Sequence, residues 1–229
     1  MNMLKNICWM ILLSLLLSAC RADDSYYDYG FDTGGYGGTG WPIWVEKLVF
    51  NESWGVPVGG LSGGISNVSE RLPGGKSSAM GPVPLPQTIR ARWFSYRTQT
   101  FYEATLEISE EERLYIKQWF EQYPRKGYLH TLVTGISGEG TIQAWWLVVC
   151  VNSLAGCPKY ERNYFELAPR IQATVAEGDP NQYYNTTRQS IREGIIPPDV
   201  LDLIVPPETP PPTTEELLEQ VRPKPHVSQ

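Results

Sequence analysis

Between residues 89 and 150 the chain alternates apolar and polar side chains at a period of two, broken once by a helix signature. This pattern restricts the fold more than any other feature. Ile89, Ala91 and Trp93 alternate with Arg90 and Arg92, and Tyr102, Ala104, Leu106 and Ile108 alternate with Glu103, Thr105 and Glu107. Such alternation marks strands with one face in a core and one in water. A turn around Arg97-Thr98-Gln99 joins the two as an antiparallel hairpin. Ser109 and Glu112 form a capping box, Leu114, Trp119 and Phe120 follow near helical spacing, and Pro124 closes the helix. Two further strands are expected at about 128–136 and 141–150, linked by Ser137-Gly138-Glu139-Gly140, with Trp145 to Val151 reading as buried. Strands in succession around one short helix predict an α+β domain, mainly antiparallel sheet or sandwich, with one or two short helices.

The flanks are less regular. Trp44, Val45, Leu48, Val49 and Phe50 form an apolar patch that reads as a strand, and residues 51–87, rich in Gly and Pro, read as a long loop. A last strand is expected over Ile171–Val175, with short helices at Thr187–Arg192 and Asp199–Ile204. The globular domain is expected over 41–195. Residues 20–40, rich in Gly, Tyr and Asp, read as a flexible tether without apolar periodicity. Nine of the nineteen prolines lie from Pro197 onward, so 196–229 reads as an extended Pro-rich tail.

The N-terminus speaks to location. Lys5 precedes an apolar run from Ile7 to Leu17, which ends in Leu17-Ser18-Ala19-Cys20. This is the layout of a secretory signal peptide spanning 1–19. The run is shorter than the roughly twenty residues a membrane span needs. The final four residues resemble a bacterial lipobox, which implies acylation of Cys20 (palmitate among the chains) and anchorage to a bilayer. By the same resemblance, Arg21 after the cysteine implies an outer-membrane lipoprotein facing the periplasm.

Removing residues 1–19 takes away Lys5 and no acid, so the formal charge moves from −6 to −7. That balance argues against nucleic acid, whose phosphates demand a basic patch. Cys150 and Cys157 are expected to pair as a disulfide in an oxidising compartment. A zinc site would need closer spacing and more ligands than His130 and His226 provide, so no metal or other cofactor is expected.

Three motifs suggest chemistry and fail on context. Gly60-Leu61-Ser62-Gly63-Gly64 fits the hydrolase elbow literally, but sits in a glycine-rich loop with His130 as the sole folded histidine. Gly75-Lys76-Ser77 ends like a phosphate loop, but Glu70 stands where that pattern needs glycine. Glu110, Glu111 and Glu112 fall in the first helical turn, where acids offset the helix dipole. No catalytic residue is therefore expected.

From Leu85-Pro86-Gln87-Thr88-Ile89-Arg90-Ala91-Arg92-Trp93-Phe94-Ser95 into Gln99-Thr100-Phe101-Tyr102, the chain resembles a family of uncharacterised proteobacterial lipoproteins, a domain of unknown function. Its pattern is Pro-x-x-Ile-x-x-x-Trp-x-Ser, and the likeness covers about 41–180. The resemblance gives no catalytic residues to carry over. Some members are linked to type VI secretion lipase toxins, which implies an immunity protein. The expectation is a binding protein whose partner is a secreted toxin. An envelope-assembly lipoprotein is the alternative, and a hydrolase the remote one. Trp54, Leu61 and Tyr183 are the candidate partner-contact residues.

Overall fold

The structure is a computed structural model describing residues 25–37, 40–61, 72–152, 156–158 and 160–204. In chain order the strands are β1 (Tyr26–Gly35), β2 (Ile43–Phe50), β3 (Trp54–Gly55), β4 (Gly59–Leu61), β5 (Lys76–Pro84), β6 (Thr88–Ser95), β7 (Thr100–Glu107), β8 (Tyr128–Ile136), β9 (Thr141–Cys150), β10 (Arg162–Gln172) and β11 (Thr174–Ala176). The helices are α1 (Glu110–Gln122) and α2 (Tyr184–Arg192), with 3-10 turns at Pro180–Tyr183 and Pro198–Leu203. One sheet runs β10-β9-β8-β1-β5, and the other runs β11-β7-β6-β2-β3 with β4 also on β2. The β1/β8 pair is parallel and the other pairs are antiparallel. The fold is the expected α+β sandwich, and its inner faces supply one core. Tyr29, Phe31, Leu132 and Trp146 come from the first sheet, and Val45, Leu48, Ile89, Trp93 and Leu106 from the second.

The hairpin β6–β7 has the alternation read from its sequence. Ile89, Ala91 and Trp93 are buried, and Arg90 and Arg92 point outward into a ladder of ion pairs with Glu52, Glu103 and Glu46. Gln99 takes the positive φ of 53° that closes the turn. Ser109 Oγ accepts the Glu112 N–H, and the Ser109 N–H donates to the Glu112 carboxylate at 2.6 Å, which is the capping box. Ile116 and Trp119 then carry the helix into the core.

Three expectations are corrected. The tether at 20–40 is a strand from Tyr26, and a central one. Tyr27, Tyr29 and Phe31 face inward and alternate with Asp28, Gly30 and Asp32, so a period-two signal was present under the glycines. Those glycines serve close approach rather than slack: a Cβ on Gly34 would stand 2.6 Å from the Gly74 carbonyl oxygen. The loop at 51–87 contains β3, β4 and β5. β5 is an edge strand on β1, where Pro82 and Pro84 are tolerated because the outer edge donates no ladder bond. The domain also continues beyond 195. Ile196 and Val200 are fully buried against Phe94, Tyr96 and Phe101 on the outer face of the second sheet. The tail beyond Ile204 and the leader before Ser25 lie outside the described residues.

Phe31 touches Tyr29, Phe50 and Trp54 and therefore bridges the sheets. Phe31→Ala is expected to lower unfolding free energy by about 3–5 kcal/mol in chemical denaturation. A tether residue would show no change.

Candidate functional site

The residues singled out from the sequence do not form one site. Trp54 stacks on Phe50 at 4.4 Å with planes 18° apart, and packs as a half-buried core residue. Leu61 is buried at the end of β4, opposite Ile43. Trp54 pairs with Phe50 at the other end of β2, so about 24 Å of strand separates the two. Tyr183 lies on the outer face of the second sheet, stacked on Phe94 at 4.5 Å, and its hydroxyl donates to Glu46 at 2.9 Å. Burial, with Glu46 beside it, pushes this phenol well above its usual range. Leu61 is buried, and Trp54 and Tyr183 are half-buried with their rings packed on neighbouring aromatics.

His130 is a sealed core residue, as its strand position implied. Its Nε2 donates to the Tyr123 carbonyl at 2.7 Å, and its Nδ1 accepts from Trp146 Nε1 at 3.2 Å. The ring stacks on Phe120 with centroids 4.0 Å apart. Both nitrogens are committed, so neither is left for a serine hydroxyl. Burial pulls its pKa down to about 4. The Arg125 charge pulls the same way, and the Tyr123 hydrogen bond opposes. Lys76 and Ser77 of the phosphate-loop lookalike lie in β5, where the Ser77 hydroxyl bonds Asp32. Ser62 lies outside the described residues. Cys150 and Cys157 are joined as a disulfide, with Cα atoms 6.2 Å apart, tying the end of β9 to the loop before β10.

The structure instead presents a groove of about 620 Å3 between α1 and β10. Glu111, Leu114, Tyr115 and Gln118 recur at helical spacing along one face of α1 and form one wall. Phe165 and Glu166 of β10 form the other. Tyr115 meets Phe165 edge-on at 4.7 Å, and Trp119 supports Phe165 from beneath at 4.8 Å. Leu114 and Tyr115 remain 48% and 44% exposed, so apolar surface is open here. Gln143 Nε2 donates to Glu166 at 2.6 Å and fixes that carboxylate, while Glu112 is held by the cap. The groove thus has an aromatic floor and an acidic rim. It suits an apolar segment carrying Lys or Arg, because the rim carboxylates supply opposite charge without a competing cation among its lining residues.

Sequence reasoning identified the helix and its acids but missed Phe165 as the opposing wall. β10 contains Pro169, and its register on β9 shifts twice between Glu166 and Ile171. Those irregularities erase the alternation that would have exposed the strand.

Fold and groove together define a two-sheet α+β sandwich with a helix-flanked acidic cleft. The chain belongs to the family described as Protein of unknown function (DUF2931), whose model matches residues 31–200. The match begins inside β1 and ends at the buried Val200. No curated protein and no solved structure matches the chain.

The buried, neutral His130 sets a pH dependence. Its folded pKa of about 4 lies below the unfolded value of 6.5, so the unfolded chain binds the extra proton. The stability it contributes is complete above pH 6.5 and is lost as pH falls toward 4, by about 3 kcal/mol in full. His130→Gln should flatten the stability profile between pH 6.5 and 4.5 by up to about 1.4 kcal/mol per pH unit. Parallel profiles for the two proteins would contradict this assignment.

Proposed function

We propose that this chain is a lipid-anchored envelope protein that binds a protein partner through the α1–β10 groove, and that the partner is a secreted lipase toxin which it neutralises. The groove carries this reading. An apolar floor beside fixed carboxylates is the kind of surface that buries an aromatic or aliphatic anchor and a cation from another protein. The lipobox at Leu17-Ser18-Ala19-Cys20 supports attachment to the periplasmic side of the outer membrane. The resemblance to lipoproteins linked to type VI secretion supports the identity of the partner. The commitment of both His130 nitrogens to internal hydrogen bonds supports a binding role over a hydrolytic one.

In this reading the protein acts by occlusion. Its groove takes a projecting segment of the toxin, and the surrounding surface covers the lipase cleft. Tight occlusion needs a standard interface of about 1,600 Å2, so the groove is the centre of a larger contact.

The test uses the secreted lipase toxin encoded nearest to its gene. The full chain should bind that toxin and protect cells that receive it in the periplasm. Leu114→Asp combined with Tyr115→Ala should weaken the complex at least about 30-fold, the loss typical of a central anchor, and abolish protection. Both side chains are about half exposed, so the fold should survive, as checked by thermal melting. Undiminished binding by the double variant would remove the groove from the proposal. A toxin unaffected by the full chain would remove the immunity reading.

A further inference from the structure

The strand register gathers several distant segments at one end of the first sheet. β1 runs parallel to β8 with Gly30 opposite Thr131, so Tyr26 is level with the start of β8. Tyr128 faces Cys150, the Val151 N–H donates to the Gly127 carbonyl at 2.9 Å, and the Tyr160 N–H donates to the Cys150 carbonyl at 3.0 Å. Ser25, Tyr26, Val151 and Tyr160 therefore share that end.

The outward face there is unusually apolar for a solvated surface. Tyr26, Leu129, Val151, Tyr160 and Tyr164 are between 41% and 68% exposed. Half-buried Val149 lies between Leu129 and Arg162 in the register and makes the patch continuous. Arg162 stands within the patch across from Val149, Asp28 is paired with Arg125 beside it, and exposed Lys126 and Glu161 flank it with mixed sign. Contiguous exposed apolar surface of this kind marks an interaction face.

The chain itself says what covers it. Cys20 is five residue steps from Ser25, and five steps span at most about 18 Å. An acyl group on Cys20 thus holds this end, rather than the far one, near a bilayer. We propose that the outward face of the first sheet at this end, centred on Leu129, Val149 and Val151, rests in the headgroup–acyl boundary of the anchoring membrane. The proposal rests on the lipid-anchor reading. Tyrosine rings suit that depth because one end of the ring is apolar and the other wet. The short link keeps the patch at high effective concentration over the lipid, so a contact too weak to recruit a soluble domain suffices to orient an anchored one. The flanking charges nearly cancel, so the contact depends on apolar area and little on salt. Tyr164 points outward on β10 and Phe165 inward, so the bilayer patch and the aromatic floor of the groove lie on opposite faces of the same strand, while the rim residue Glu166 shares the outward face further along it.

Full-length protein carrying its acyl chain is reconstituted into vesicles of phosphatidylethanolamine and phosphatidylglycerol that bear a lipid-linked quencher. With Cys20 acylated and Cys150 joined to Cys157, an introduced cysteine is the lone thiol of the mature chain. A fluorophore at Leu129→Cys should be quenched at least about five-fold more than one at Val175→Cys, as expected for immersion by 5–10 Å. Val175 is 73% exposed on β11 of the other sheet. Adding Val151→Glu and Tyr160→Glu should erase the difference while the protein still floats with the vesicles and melts as before. Equal quenching at both sites in acylated, vesicle-bound protein overturns the membrane contact and leaves the anchor standing. Mass spectrometry showing no acyl group on Cys20 overturns both.

Discussion

The placement of β1 between β8 and β5 is the constraint on which the rest of this structure depends. It hydrogen-bonds to both neighbours over Gly30–Thr33, parallel on one side and antiparallel on the other. It carries Tyr29 onto Trp146 within its own sheet, and Phe31 onto Phe50 and Trp54 of the opposite sheet. The Tyr29 hydroxyl donates to the Pro84 carbonyl at 2.8 Å and so holds the end of β5 as well. A parallel pair cannot be closed by a tight turn, and here β2 to β7 and α1 intervene between β1 and β8. The first sheet is therefore completed by contacts between the two ends of a long chain segment, a topology that folds slowly for its size.

How much of this was legible in the sequence follows from where each segment sits. β6, β7 and the start of α1 were readable because one face is wet and the other buried. Arg90, Arg92 and Glu103 are outward partners of one another, and the buried alternates are bulky. β9 was readable from its run Trp145 to Val151, and β8 as the strand before the turn at Ser137-Gly138-Glu139-Gly140. β1 was not recognised because its inward residues are aromatic and its outward ones are Gly and Asp, a composition shared with linkers. β5 and β10 were obscured by prolines that only an edge position permits. Trp54 reads as a partner contact within a long loop, but residues 54–55 pair with β2 and the half-buried indole packs on the core. The groove was illegible for a further reason. Its walls, Tyr115 and Phe165, come from elements fifty residues apart that meet only through tertiary packing.

The chemistry of the site follows from what is fixed and what is open. His130, the residue best suited to acid–base work by type, is locked between Phe120, Tyr123 and Trp146 and acts as a structural hydrogen-bonding centre. The open surfaces are an acidic aromatic cleft and an apolar sheet face. Tyr164 of the sheet face and Phe165 of the cleft look opposite ways from one strand.

Native-state hydrogen exchange over residues 26–35 tests the central claim most directly. If β1 is an integral strand, the amides from Gly30 to Thr33 should open only with an unfolding free energy within about 1 kcal/mol of that of Leu132 and Val133 in β8. Exchange of those amides at the rate of an unstructured peptide, while β8 stays protected, would contradict it. The fixed point from which the end of the domain proposed to meet the membrane is placed would then be gone.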